Sequence, residues 1–394
     1  MAGGLYDYII ALTIVGIIFI SVVFIAPSLS YVNLLYIDQQ QLRSLAVETL
    51  KTILLGTGNP AYWGSQDPFD PSGVYTFGLA CADSSSFYVL DPDKVQRLVE
   101  DNPIGYIEYP RMRKLLGLER YGFNIRIVPP FNFTILSAQV VPPHISFEVK
   151  VSLNDGRPIP NGKVNAVIFY TTQGKGQGQG EKDENRSWVF SEKIPDASTD
   201  ARGICRIERM LTPSGQISDV MVLFKVTVAD LVTLFVTYQG ARPDDIAEIN
   251  MVNDNVTLSM PDNPPPPRDA RWVDNVIMFS WDTDTIMFLQ NGSIPRLNED
   301  KLNYGSYKVW TKTFCELKYH NPALLIFNFW AVDLGKNPAR RSVLIAGPYP
   351  NWLGYRVIEY GGTSPQGYTA VKLYRNVVVS GMTFNAELAL WKES

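Results

Sequence analysis

Histidine is almost missing from this chain. Only His144 and His320 occur in 394 residues, and neither has a second histidine at metal-ligand spacing, which excludes an H-E-x-x-H centre. Cysteine is scarce as well: Cys81, Cys205 and Cys315 lie far apart, with no C-x-x-C. Zinc, iron–sulfur and c-type haem motifs are therefore absent, and an odd number cannot close into a full set of internal disulfides. Buried free thiols are the expectation. Charged residues make up 19% of the chain, with a net charge of −4, so no basic face for nucleic acid is implied. There is no G-x-S-x-G elbow. The glycine-rich stretch 174–180, GKGQGQG, lacks the G-x-x-x-x-G-K-[ST] spacing of a phosphate loop and reads as a flexible hairpin tip. Asp282 and Asp284 stand on alternate positions of WDTDT. Paired carboxylates there suit glycoside hydrolysis or calcium, but solvated acids are the commoner use of such a pattern. The sequence predicts no catalytic residue, no cofactor and no metal site, hence a non-enzyme.

What is abundant is apolar and β-forming. Tyr8–Pro27, YIIALTIVGIIFISVVFIAP, is an uncharged apolar run. About twenty such residues as a helix span the ~30 Å hydrocarbon core of a bilayer. The run is longer than a signal-peptide core and no A-x-A site follows it, so a retained membrane anchor is the expectation. The flanking basic residues, Arg43 and Lys51, both follow the run. Taken alone, they place the body in the cytoplasm; the character of the body argues for the opposite side. Leu35, Leu42, Leu45, Ala46, Thr49, Leu50, Ile53 and Leu54 then recur at helical spacing, while Gln39, Gln40, Arg43, Glu48 and Lys51 fall largely elsewhere on the wheel. The spacing predicts a second, amphipathic half stopped by Gly56 and Gly58, with a kink at Pro27. Residues 1–58 thus read as a transmembrane helix with an amphipathic extension.

Residues 59–132 read as a small α/β connecting unit. Asp91 caps a short helix with Pro92 at its first position, Tyr109-Pro110 opens a second, and Tyr121–Val128 is a strand. From Phe133 the texture is alternation: Ile145, Phe147, Val149, Val151 and Leu153 point one way, and the polar residues between them the other. Residues 133–262 read as a β-sandwich. The four prolines 264–267 are a stiff spacer, and 263–394 reads as a second β domain rich in Trp272, Trp281, Trp310, Trp330, Trp352 and Trp391. Core packing is the common use of such tryptophans, and a carbohydrate platform the sharper one. The expected class is α+β, with a long N-terminal hydrophobic helix followed by predominantly β domains. Asn132, Asn185, Asn255 and Asn291 head Asn-x-Ser/Thr sequons, sites for glycans on an extracytoplasmic surface.

Two resemblances rest on these residues. The apolar helix running into YIDQQQLRSLAVETLKTILL, then GTGNPAYW, FGLA, LDPDKVQRL and YGFNIRI, over roughly Leu5–Pro130, resembles archaeal type IV pilin-like surface proteins. Gly4 would be the small residue at the processing site and Asp7 the carboxylate that follows; no Lys or Arg precedes Gly4. The turns in VSLNDGRPIPNGKV and TDARGICRI resemble those of bacterial Ig-like domains. Together they imply a filament subunit or other structural component with an extracytoplasmic body, at the cell membrane or in an extracellular filament. Leu5, Asp7, Ile9, Ile17, Phe24, Pro27, Leu35, Leu42, Leu45 and Ile53 would carry anchoring and assembly. The implied partners are membrane lipid, other copies of the chain, and a cell-surface glycan or protein. A membrane-anchored adhesion or carbohydrate-binding module is the alternative.

Overall fold

The computed structural model describes residues 3–100, 102, 104–141, 143–173, 189–211, 216–239, 248–261, 269–281, 285–290, 307–315, 317, 323–333, 340–346, 357–363 and 369–393. A single helix, α1 (Gly3–Leu55), leads the chain, and α2 (Pro92–Gln96) and α3 (Tyr109–Leu115) are short. The strands are β1 (Val89–Leu90), β2 (Tyr121–Val128), β3 (Asn132–Val141), β4 (His144–Ser152), β5 (Lys163–Gln173), β6 (Val189–Ser198), β7 (Ile204–Met210), β8 (Gln216–Val228) and β9 (Leu231–Gln239). They continue with β10 (Glu248–Val252), β11 (Asn255–Pro261), β12 (Asp269–Ser280), β13 (Thr285–Gln290), β14 (Tyr307–Thr313), β15 (Ala323–Asp333) and β16 (Arg340–Ala346). The last three are β17 (Ile358–Gly361), β18 (Ala370–Val379) and β19 (Met382–Lys392).

Two sequence expectations are corrected. The class is mainly β rather than α+β: about half of the described residues are in strands and 21% in helices. The connecting unit adds helices of only five and seven residues, too little to form a helical layer of its own. The N-terminal transmembrane helix is the second correction: among the described residues no helix is long and apolar enough to cross a membrane. Helix α1 is present, and its assignment runs through Pro27 without a break. From Gln39 onward the helix is half polar and lies on protein.

That protein surface is a five-stranded sheet in the order β1–β18–β19–β2–β17. Only the β1–β18 pair is parallel; the other pairs are antiparallel. The chain's last strands thus return across more than two hundred residues to pair with β2. Strand β19 alternates: Phe384, Ala386, Leu388 and Leu390 are buried, while Asn385, Glu387 and Ala389 between them are half-buried. The buried set meets Leu42, Ala46, Leu50 and Ile53 of α1 in one core with Ile125 and Ile127. One face of the sheet therefore carries the helix, and among the described residues the other is open.

The remaining sheets form two β-sandwiches. Sheet β3–β4–β7 faces β6–β5–β8–β9 across a core of Ile145, Phe147, Val149 and Val151 against Ala166, Ile168, Val222 and Phe224. Sheet β10–β11–β14 faces β13–β12–β15–β16 across Ile249, Met251 and Leu258 against Met278, Leu325 and Phe327. The two four-stranded sheets also bury their other faces. Phe169 and Leu223 of one, and Phe279 and Ile326 of the other, belong to the same core as the helix-bearing sheet, and Phe169 meets Phe279 edge-on at 5.5 Å. Burial on both faces is why β8 and β15 read as continuous apolar runs rather than alternation.

Candidate functional site

Helix α1 has two unlike halves. In the C-terminal half, Leu42, Ala46, Thr49, Leu50, Ile53 and Leu54 are buried, Leu45 is half-buried, and Gln39, Gln40, Arg43, Glu48 and Lys51 are exposed. The helix end is closed by an extended segment. Leu79 donates its N–H to the Ile53 carbonyl at 2.8 Å and Ala80 donates to Gly56 at 2.9 Å, supplying donors for carbonyls at a helix terminus. Gly78 lies so close to the Gly56 carbonyl that a Cβ would collide with it. Trp63, wholly buried, donates its indole N–H to the Gly78 carbonyl at 3.0 Å and so pins this segment against the helix. An exposed pair, Asp38 and Lys392 at 3.7 Å, ties the helix to the end of β19.

The N-terminal half is bare. From Tyr8 to Ile20 every large apolar side chain that the structure describes, Ile17 among them, is 51–69% exposed. These residues point in all directions around the helix, so no single face of the body could cover them.

A second concentration of chemistry sits on α2, where the sequence suggests only a cap and a first-turn charge. Asp91 does cap the helix, accepting the Asp93 N–H at 2.9 Å. Yet Asp91, Asp93, Lys94, Gln96 and Arg97 are all buried. Lys94 lies 3.5 Å from Asp91 and donates to the Ala80 carbonyl at 2.7 Å. Arg97 donates to the carbonyls of Gly64 at 3.0 Å, Gln66 at 2.6 Å and Ile104, and stacks on Phe69. Burial, with Asp93 alongside, pushes the Asp91 carboxyl up to about 6 against the opposing pull of Lys94. Burial likewise lowers Lys94. This cluster joins the connecting unit to the second sandwich. The signal for it lay in LDPDKVQRLVE, a short helix too rich in charge to be buried unless each group has a partner.

The other predicted sites separate. The side chains of Leu5, Asp7, Ile9, Phe24, Pro27 and Leu35 lie outside the described residues, as do 174–180, Asn185, 264–267, Asp282, Asp284, Asn291, His320, Trp352 and the side chains of Trp272, Trp310 and Trp330. His144 is exposed at the start of β4. Asn132 is exposed, and Asn255 is half-buried with its amide oxygen accepting from Thr313 Oγ1 at 2.6 Å. All three cysteines are free; Cys205 is buried and Cys81 partly so, but Cys315 is exposed rather than buried. Burial pushes the Cys205 thiol up to about 11. Trp281 and Trp391 are buried. Among the described residues no group of three or more His, Cys, Asp or Glu is placed to hold a metal.

No family model and no curated protein matches the chain. Among solved structures, trypsin-activated alpha-2-macroglobulin from Escherichia coli aligns with 62% of this chain and 19% of its own, at 11% identity and a TM-score of 0.21. Salmonella alpha-2-macroglobulin reacted with methylamine aligns with 63% and 17%, at 11% identity and a TM-score of 0.21. The aligned part is thus about a fifth of each of those chains.

Proposed function

We propose that the chain is a non-enzymatic structural subunit of an extracytoplasmic assembly, pilin-like in plan. Copies pack through the apolar N-terminal half of α1, and the sandwiches face outward. The observation that carries this reading is the contrast within one helix: the half beyond Gln39 is docked, while the half from Tyr8 to Ile20 exposes every described large apolar side chain. An exposed apolar surface of that extent marks an interaction site. Because it runs all round the helix, several neighbours are needed to cover it, as equivalent helices in a bundle would.

Two further features suit an outward-facing body. Asn132 presents a sequon at the surface. The turns that prompted the Ig-like resemblance are held by their own side chains: Asp155 accepts the N–H of Arg157, Asp200 accepts those of Arg202 and Ile204, and Gly156 and Gly203 adopt φ of 88° and 74°. Glycine allows that left-handed backbone without penalty.

The test uses the full chain, examined by electron microscopy and analytical ultracentrifugation beside an Ile14→Asp, Ile18→Asp double variant. Ordered filaments or discrete oligomers from the native chain, and monomers from the variant, are expected. Monomers from both would overturn the reading.

A further inference from the structure

The open face of the first sheet holds a groove, of about 250 Å³, that assembly through α1 leaves unused. Strand register builds it. Tyr374, Glu387, Arg126 and Glu359 stand opposite one another across four neighbouring strands, forming a transverse row on that face. Two residues along, the row is Lys372, Ala389, Asn124 and Gly361. The short side chain of Ala389 leaves a depression there, with Gly362 beside it, bounded by the first row on one side and Trp391 on the other. Trp391 lies flat over Gly122, where a Cβ would collide with its indole, and is 2% exposed. It therefore forms a wall and not a platform. Tyr374, at 54%, is the exposed aromatic of the site.

The polar groups are balanced and held. Arg126 sits between two carboxylates, 3.2 Å from Glu387 Oε2 and 3.7 Å from Glu359 Oε2. Asn124 donates to the Gly362 carbonyl at 3.3 Å and lies 3.5 Å from Glu359 Oε1. Each carboxylate has more acceptor sites than these contacts use. Two cations and two anions cancel, so the groove selects against a phosphate-bearing ligand, which both glutamates would repel, and equally against a simple cation. What fits is a neutral group that donates and accepts hydrogen bonds on one side and offers C–H surface to an aromatic ring on the other.

We infer that this groove binds a neutral sugar ring, with Tyr374 packing on its C–H face and Glu359, Glu387, Asn124 and Lys372 taking its hydroxyls. Its volume lies below the ~300–1,000 Å³ of sites for drug-sized ligands, which suits a single ring. Among the described residues the groove is open, so the ring can belong to a longer chain. A ligand this small in an open site binds with a dissociation constant on the order of 1 mM. The inference does not depend on self-assembly, because every residue in it belongs to one copy.

The experiment is saturation-transfer NMR on the full chain, with methyl α-mannoside, methyl β-galactoside, methyl β-glucoside and N-acetylglucosamine as probes and inorganic phosphate as comparison. Tyr374→Ala and Glu359→Gln alter exposed side chains and leave the fold intact, checked by circular dichroism. Tyr75→Ala, exposed elsewhere on the body, is the control. At least one sugar is expected to saturate, with a roughly tenfold or greater loss in Tyr374→Ala and in Glu359→Gln and no change in the control. No saturation by any of the four sugars, stronger binding of phosphate, or sugar binding that survives both groove variants would overturn the inference.

Discussion

Asp93 accepts the backbone N–H of Asn253 on its Oδ2 at 2.9 Å, across 160 residues of chain. The same oxygen takes the Ser65 hydroxyl at 2.8 Å, and Oδ1 takes the Gln96 amide at 3.0 Å. Gln96 in turn donates to the Met251 carbonyl at 3.1 Å. Asn253, at a φ of 54°, is in the turn between β10 and β11. One carboxylate on a five-residue helix therefore fixes the tip of a hairpin in the second sandwich.

Removing that carboxylate strands several buried donors at once. Asp93→Ala is expected to destabilise the fold by about 2–4 kcal/mol, since each unsatisfied donor costs about 1–3 kcal/mol. Asp93→Asn, which keeps one acceptor, should cost less. Urea denaturation gives the free energies, and hydrogen exchange at the Asn253 amide gives the location. If Asp93→Ala stays within about 0.5 kcal/mol of the native chain, the bridge is not structural.

Asp91 gives the pH dependence an unusual direction. Its folded pKa of about 6 lies above the ordinary 3.8, so the folded state binds the proton more tightly than the unfolded chain. Stability therefore rises as pH falls through 6 and levels off below 3.8. The gain is about 1 kcal/mol by pH 5 and about 3 kcal/mol in full. The exposed carboxylates Asp70, Asp155 and Asp200 are held below 3.8 by hydrogen bonds; their contribution is lost only at lower pH, outside this window. Asp91→Asn keeps the helix cap and should flatten the slope between pH 7 and 5. A slope that persists in the variant assigns the effect to another group.

The parts of this fold that were legible in advance are those set by local periodicity. Leu42, Ala46, Leu50 and Ile53 announce a docked helix face because burial follows the 3.6-residue repeat, and Ile145 to Val151 announce a half-buried strand by the two-residue repeat. Such a pattern names a face but never a partner. Nothing in YGFNIRIV says that β2 pairs with β19, because pairing across so many residues is decided by the whole tertiary arrangement. The run at Tyr8–Pro27 shows the same limit: apolarity demands burial without saying whether lipid or protein supplies it. Asp93 looked like a first-turn acid because that residue type serves exposed and buried helices alike. The groove was invisible for a further reason. Ala389 makes a depression only once register sets it beside Arg126, Glu387 and Tyr374.

The docking of α1 should be apolar in origin. Ile53 is 1% exposed within the core under the sheet. Truncating Ile53→Ala removes buried methyl groups and leaves a cavity, at about 2–5 kcal/mol. The Asp38–Lys392 pair is more than 60% exposed on both sides. Lys392→Ala should change stability by less than about 1 kcal/mol, and by less still at high salt. Chemical denaturation of both variants separates the two contributions. A larger effect at Lys392 than at Ile53 would mean that the helix is held electrostatically.

Gly122 and Trp391 should behave as one unit. The indole occupies the place where a Gly122 side chain would project and lies 3.4 Å from where a Cβ on Gly362 would stand, so it is confined by two glycines. Gly122→Ala must push the ring away, and overpacking of this kind costs about 1–3 kcal/mol. The displaced ring would also close part of the groove beside it. Trp391→Phe shrinks the ring and leaves room for the added methyl. In the double variant the two losses should therefore fall short of additive by at least about 1 kcal/mol. A thermodynamic cycle over the four proteins measures that coupling, and near-ultraviolet circular dichroism follows the indole directly. Additive losses, with an unchanged indole signal in Gly122→Ala, would show that the strand yields instead of the ring.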